Sequence, residues 1–198
     1  MDLEAINSMN YEQFLDIFGN VIEKCPMITA AVWSTRPFST ICDVEDSVYE
    51  FIESLPTSEI FFYKRNFFTK IFIQHCNGNL GKEGILRCHP DLAGRELTSG
   101  TLTMESQQEQ RQAGLTSLNS RESERMTLLN TRYKQKFGFP FVICAKMADK
   151  EKIMEELTVR LLNTPSEELH KGIDEVKKIC HLRLQDIVCK GSSLPTKL

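Results

Sequence analysis

The chain of 198 residues contains no run of the roughly 18–20 uninterrupted apolar residues needed to cross a bilayer as a helix, so no membrane span is expected. It has little excess charge. With 24 basic and 27 acidic side chains the formal net charge is -3, which leaves no basic footprint for nucleic acid. The opening MDLEAINSMN carries acids where a secretory signal needs a basic start and an apolar core, so the expected location is the cytosol or an organelle fed from it. A glycine-rich phosphate loop and a dinucleotide fingerprint are both missing. So are Cys-x-x-Cys and His-x-x-x-His spacings, and the scattered pairs His75-Cys76, Cys88-His89 and Cys180-His181 give no reason to expect a metal. Seven cysteines, an odd number, are then expected as reduced thiols packed as small hydrophobes. At this length a single domain can bury a core without disulfide or metal.

What is present is helical periodicity. Asn10 can cap a helix over about 11–24, with Phe14, Phe18, Val21 and Ile22 on one face. Pro26 follows it, and MITAAVWSTRP makes a shorter apolar helix that must end before Pro37. Ile41, Val44, Val48, Phe51, Ile52 and Leu55 repeat at three and four until Pro56 stops them. Thr103 and Gly114 bracket a helix with almost no apolar residues. Another covers about 121–137, with Met126, Leu129, Tyr133 and Phe137 inward and Gly138 as a left-handed stop. Asp149 opens a helix carrying Ile153, Leu157 and Leu161. Thr164, Pro165 and Glu167 form the start of the last, which reaches about 189. The fold class is all-α: one compact multi-helix domain over 1–189, with 190–198 a flexible tail. The stretch FGFPFVICAK between Gly138 and Asp149 reads as extended or a tight loop at first, or as helix later on.

Three features could carry chemistry. In CHPDLAG, at 88–94, Pro90 restricts the backbone of His89 and fixes the chain beyond it, which suits a catalytic imidazole and equally a rigid turn. In the last helix, Leu169, Ile173, Val176, Ile179, Cys180, Leu184 and Ile187 form an apolar stripe, and Arg183 falls inside it. An arginine aimed at a core must meet an anion, either a buried Asp or Glu or a ligand carboxylate or urea-like carbonyl suited to its planar fork. Ser106, Glu109 and Gln110 share a helix face at i, i+3 and i+4. For a Gln/Glu-rich helix alone a solvated face is the commoner reading; a nearby His89 would favour a functional one.

In this order, ILRCHPDLAG, TLTMESQQEQRQAGL, LNTRYKQKFGFPFVICAK and ELHKGIDEVKKICHLRL resemble the 2-oxo-4-hydroxy-4-carboxy-5-ureidoimidazoline (OHCU) decarboxylases of urate degradation. The resemblance covers nearly the whole chain. It implies an all-helical domain, usually a homodimer, that acts on a small ureidoimidazoline without metal or cofactor to give S-allantoin. Carried over residue by residue, it makes His89 and Glu109 catalytic, with Pro90 behind the histidine. Pro90, Ser106, Gln110 and Arg183 become substrate-binding residues, as does the loop of Phe139, Phe141, Val142 and Ile143. Thr196-Lys197-Leu198 resembles the Ser-Lys-Leu peroxisomal address, which would bring an import receptor as partner.

One segment departs from this pattern. About 59–79, EIFFYKRNFFTKIFIQHCNGN packs five phenylalanines and a tyrosine into 14 residues with no clean period of either kind. It reads as an apolar insertion, resembling a splice or gene-model product. Loop closure alone would cost on the order of 1–2 kcal/mol; exposed phenylalanines would be the greater hazard. An inactive or poorly folding chain is one alternative, and a non-catalytic helical interaction protein is another. The second would have no use for Arg183 in an apolar stripe.

Overall fold

In a computed structural model the described residues are 1–56 and 81–191, with side chains described through Cys189. The expected insertion at 59–79 and the last seven residues, with the Thr-Lys-Leu end, lie outside them. Every regular element among the described residues is a helix: α1 (Leu3–Ser8), α2 (Tyr11–Phe18), α3 (Pro26–Trp33), α4 (Ile41–Ser54), α5 (Lys82–Cys88), α6 (Arg95–Ser99), α7 (Met104–Gln112), α8 (Ser120–Phe137), α9 (Lys150–Arg160) and α10 (Pro165–Gly191), with short 3-10 turns at Leu115–Ser117 and Ala145–Met147. The fold class is therefore all-α. The chain divides into two compact units, one of Met1–Gly81 with Lys177–Leu198, the other of Lys82–Val176. No helix among the described residues is long and apolar enough to cross a membrane.

In the first unit α2 packs on α3 and α3 on α4. The core is aromatic at its start, where Phe14 lies 4.7 Å from Phe18 and 6.3 Å from Phe38 between ring centroids. Val44, Val48 and Ile52 continue it from α4, whereas Ile41, expected on the same stripe, is exposed at the helix start. The helix expected over 11–24 ends at Phe18. Asn20 supplies the reason, because its side-chain oxygen accepts the N–H of Lys24 at 2.9 Å and so competes with the helical ladder. Lys24 then turns left-handed with φ of 52°. Val21 and Ile22 are still buried, but from turns and not from a helix.

In the second unit Met126, Leu129, Tyr133 and Phe137 of α8 are buried, and Gly138 ends the helix at φ of 78°, as its position predicts. Ile153 and Leu157 of α9 and Leu169, Ile173 and Val176 of α10 are also inside. Thr164 and Glu167 cap each other, the Thr164 N–H donating to Glu167 Oε2 at 2.8 Å. The stretch left open in the sequence resolves as an irregular loop through Cys144, followed by the 3-10 turn. Helices α1, α5 and α6, of five to seven residues, carry too little periodicity to be read beforehand. Among the described cysteines no disulfide forms; Cys25, Cys144 and Cys180 are buried as expected, while Cys42 and Cys189 are exposed.

Candidate active site

The second unit holds nine of the ten residues singled out from the sequence, and the first unit holds Arg183. His89 follows the last turn of α5, its N–H donating to Leu86 O at 3.2 Å, and it is 8% exposed. Pro90 behind it is buried as well. The chain then passes through Asp91 and Leu92 to Ala93, which adopts φ of 51°, a left-handed conformation uncommon for a residue with a Cβ.

Helix α7 is capped by the Thr103 hydroxyl, which accepts the Ser106 N–H at 3.3 Å. Its buried residues are Ser106, Glu109 and Gln110, while Met104 is 80% exposed. The commoner reading of such a helix, a solvated polar face, does not hold here: the polar face is the inward one. Nothing in helix propensity favours burying a carboxylate and a carboxamide, which cost free energy unless hydrogen-bonded. Gln110 shows how part of that cost is met. Its Oε1 accepts the Ala93 N–H at 2.8 Å, which fixes the carboxamide's orientation, since a backbone N–H can only donate. Its Nε2, also buried, has no partner among the described residues.

The loop after Gly138 buries Phe139, Phe141 and Val142 and leaves Ile143 partly exposed. Two charged side chains that the sequence reading did not single out hold its backbone. Arg160 of α9 donates from Nη1 to Val142 O at 2.8 Å, and its guanidinium lies 4.5 Å from the Phe141 ring centre. Glu175 of α10 accepts the Cys144 N–H at 2.8 Å. Arg160 is paired in turn with Glu168, whose carboxylate also accepts from Asn163 Nδ2 at 2.7 Å and from the Tyr133 hydroxyl. Burial and that carboxylate raise the Tyr133 phenol well above its ordinary range, so it remains a neutral donor. A signal for Arg160 was available: it stands seven residues after Ile153 and three after Leu157, inside the stripe of α9.

Arg183, 3% exposed, donates from Nη1 to Asn20 O at 2.8 Å and to Glu23 Oε2 at 2.9 Å. The early end of α2 is what makes the Asn20 carbonyl available. A buried carboxylate is thus one anion that Arg183 meets. On the same helix, burial pushes the Cys180 thiol up to about 12, so it is no thiolate nucleophile at neutral pH. Among the described residues no group of three or more His, Cys, Asp or Glu is placed to hold a metal ion.

The OHCU decarboxylase family model matches residues 7–185. The chain is 59% identical over 198 residues to the 2-oxo-4-hydroxy-4-carboxy-5-ureidoimidazoline decarboxylase of Xenopus laevis, covering all of both chains. It is 51% identical to that of Amia calva over 188 residues, 95% of each chain, and 48% identical to that of Mus musculus over 188 residues, 95% of this chain and 93% of the other. A crystal structure of (S)-allantoin synthase superposes with TM-score 0.67 at 19% identity, covering 94% of this chain, which spans 53% of that one. A crystal structure of OHCU decarboxylase in the presence of (S)-allantoin does so with TM-score 0.57 at 20% identity, over 86% of this chain and 96% of the other. At these identities the two structures speak to the fold, and the sequence matches speak to descent. The chain belongs to the OHCU decarboxylase family.

Proposed function

We propose that this chain decarboxylates 2-oxo-4-hydroxy-4-carboxy-5-ureidoimidazoline to S-allantoin, closing the conversion of urate to allantoin, and that it needs neither metal nor cofactor to do so. The observation that carries this reading is the inverted face of α7, where Ser106, Glu109 and Gln110 are buried in a helix that exposes its methionine. A helix stabilised only by packing would be turned the other way.

The substrate explains why no cofactor is called for. Its carboxylate and hydroxyl share one ring carbon, and the neighbouring carbon, which bears the ureido group, is doubly bonded to nitrogen. When the bond to CO2 breaks, its electron pair forms a carbon–carbon double bond and the C=N pair moves onto nitrogen, which takes a proton. The enol then loses its hydroxyl proton to become a carbonyl, and the ureido-bearing carbon gains one. One proton enters overall for each CO2 released. Delivering that proton to a single face sets the configuration of the product.

On this reading His89 contacts the ring hydroxyl and moves its proton as general acid and base, with Glu109 orienting and tuning the imidazole. Gln110 has its oxygen committed to Ala93, so its N–H donors serve substrate oxygens, and Ser106 adds a further hydrogen bond. The backbone at Phe139, Phe141, Val142 and Ile143 faces the ring and ureido group, with one lone pair of Val142 O already given to Arg160. Arg183 supplies a guanidinium for the carboxylate or ureido group, a role that rests on the motif and is shared with Glu23. Fixing these groups in advance can lower the barrier by several kcal/mol.

The same reading includes a homodimer, and import into peroxisomes through Thr196-Lys197-Leu198. Removal of Leu198 from a fluorescently tagged chain would then leave it outside that organelle. The activity is tested by circular dichroism of substrate freshly made from urate by an oxidase and a hydrolase. Rapid growth of the S-allantoin signal is expected; growth no faster than the racemic background would sink the proposal. His89→Asn should return the reaction to that background.

A further inference from the structure

Three consecutive residues after the His89-Pro90 pair are each held by a side chain of the second unit, two of them from α8 and one from α7. Asp91 Oδ2 accepts from Lys134 Nζ at 2.6 Å, Leu92 O accepts from Asn130 Nδ2 at 2.9 Å, and the Ala93 N–H donates to Gln110 Oε1 at 2.8 Å. Lys134 and Asn130 stand one turn apart on α8, and Gln110 is the last residue but two of α7. An ordinary surface loop is not fastened at every residue. This one is, and it is fastened in a conformation its sequence does not favour, since Ala93 sits at φ of 51° where glycine would be at ease.

We propose that Asn130 and Lys134 are positioning residues of the decarboxylase, acting through the Asp91–Ala93 strap on His89 and Gln110. This inference rests on the function proposed above and deepens it. Asn130 is 6% exposed, and its amide makes one hydrogen bond among the described residues, the one to the strap, while its Oδ1 is buried without a partner there. A buried carboxamide that leaves its oxygen unsatisfied is a poor choice for stability alone, because a leucine of similar size would avoid the penalty. Its donor reaches Leu92 O, two residues past the proline that fixes the backbone of His89. The strap then acts in two directions. Backwards, it sets where Pro90 begins and hence the pose of His89; forwards, the Ala93 N–H determines which end of the Gln110 carboxamide faces the substrate. Loosening it therefore misplaces the proton-transfer group and lets the carboxamide turn over.

The test compares wild type with Asn130→Leu and Lys134→Met. For each, kcat and KM are taken from S-allantoin formation, unfolding from thermal melts, and exchange of the Ala93 amide from NMR. Asn130→Leu is expected to lower kcat by on the order of 10- to 100-fold, as a misplacement of about 1 Å does elsewhere. Its KM should rise less than its kcat falls, its melt should remain cooperative, and the Ala93 amide should exchange faster. Lys134→Met, which removes a half-exposed ion pair worth little to folding, should show the same pattern in weaker form. Wild-type kcat in both folded variants, or a loss of kcat with Ala93 exchange unchanged, would overturn the proposal. If Asn130→Leu does not fold, Lys134→Met decides by the same criteria. A wild-type chain without turnover would instead bring down the function reading, and this inference with it.

Discussion

At the level of single residues, the two buried arginines make a paired experiment. Glu168→Ala leaves Arg160 buried without its carboxylate, and breaking a buried pair in this way costs about 3–5 kcal/mol, readable from urea unfolding. Because Arg160 also holds Val142 O, turnover should fall in the folded fraction too. Glu23→Gln and Arg183→Gln both break the other pair and both should lower stability. Only Arg183→Gln should in addition raise KM well beyond the change seen in Glu23→Gln; equal KM values in the two would assign Arg183 to structure alone. These residues also mark how far the sequence could be read. Arg183 was visible because a single charge interrupts a long regular stripe in α10, and Arg160 sits in its stripe just as plainly but on a helix of 11 residues, where fewer apolar neighbours define the face. Asn130 was not visible, since its reason is a carbonyl 38 residues away.

Among the elements, the clearest starts were those with reciprocal caps, and these also contribute to acid stability. Hydrogen bonds at the helix starts, from Thr40 and Ser39 to Asp43 and from Thr164 to Glu167, hold the carboxyls below their ordinary values of 3.8 and 4.5; Glu122 is lowered first by Lys150 and then by Asn119. A lowered folded-state pKa means the unfolded chain binds the proton more readily, so this stability is complete above the ordinary values and is lost as pH falls through the lowered ones. Urea midpoints should therefore drop between pH 5 and pH 3, and more shallowly in the triple variant Asp43→Asn, Glu122→Gln, Glu167→Gln. A second element-level expectation concerns Gly172 in the first third of α10, an interior helix position where glycine is otherwise unfavourable. A Cβ there would meet Leu86 Cδ1 at 2.9 Å, and Leu86 is fully buried on α5, three residues before His89. Gly172→Ala should thus lower turnover even though it raises helix propensity, with the melt showing whether propensity or crowding dominates. Long helices with caps were legible from periodicity. The end of α2 was not, because it depends on a side chain of Asn20 competing with the backbone.

Across the whole chain, the ten proposed site residues all lie among the described residues, and none lies in the segment at 59–79. Deleting that segment should leave S-allantoin formation in place, and loss of activity on deletion would show that it serves the fold or the site. The family could be read because four motifs in fixed order span most of the length. The near-neutral balance of 24 basic and 27 acidic groups served only to exclude partners.

The inward polar face of α7 has a consequence for anyone who sets out to make this protein sturdier. Ser106, Glu109 and Gln110 occupy positions where a heat-resistance screen would welcome leucine or methionine, since an apolar side chain there fills the same space without a desolvated amide or carboxylate. Such a screen, run blind to turnover, would collect its best performers at these three positions. On the roles proposed above for these residues, it would return a chain that melts later and no longer turns over its substrate. A library that scores both properties should show them opposed at this face and independent on the far side of the same helix.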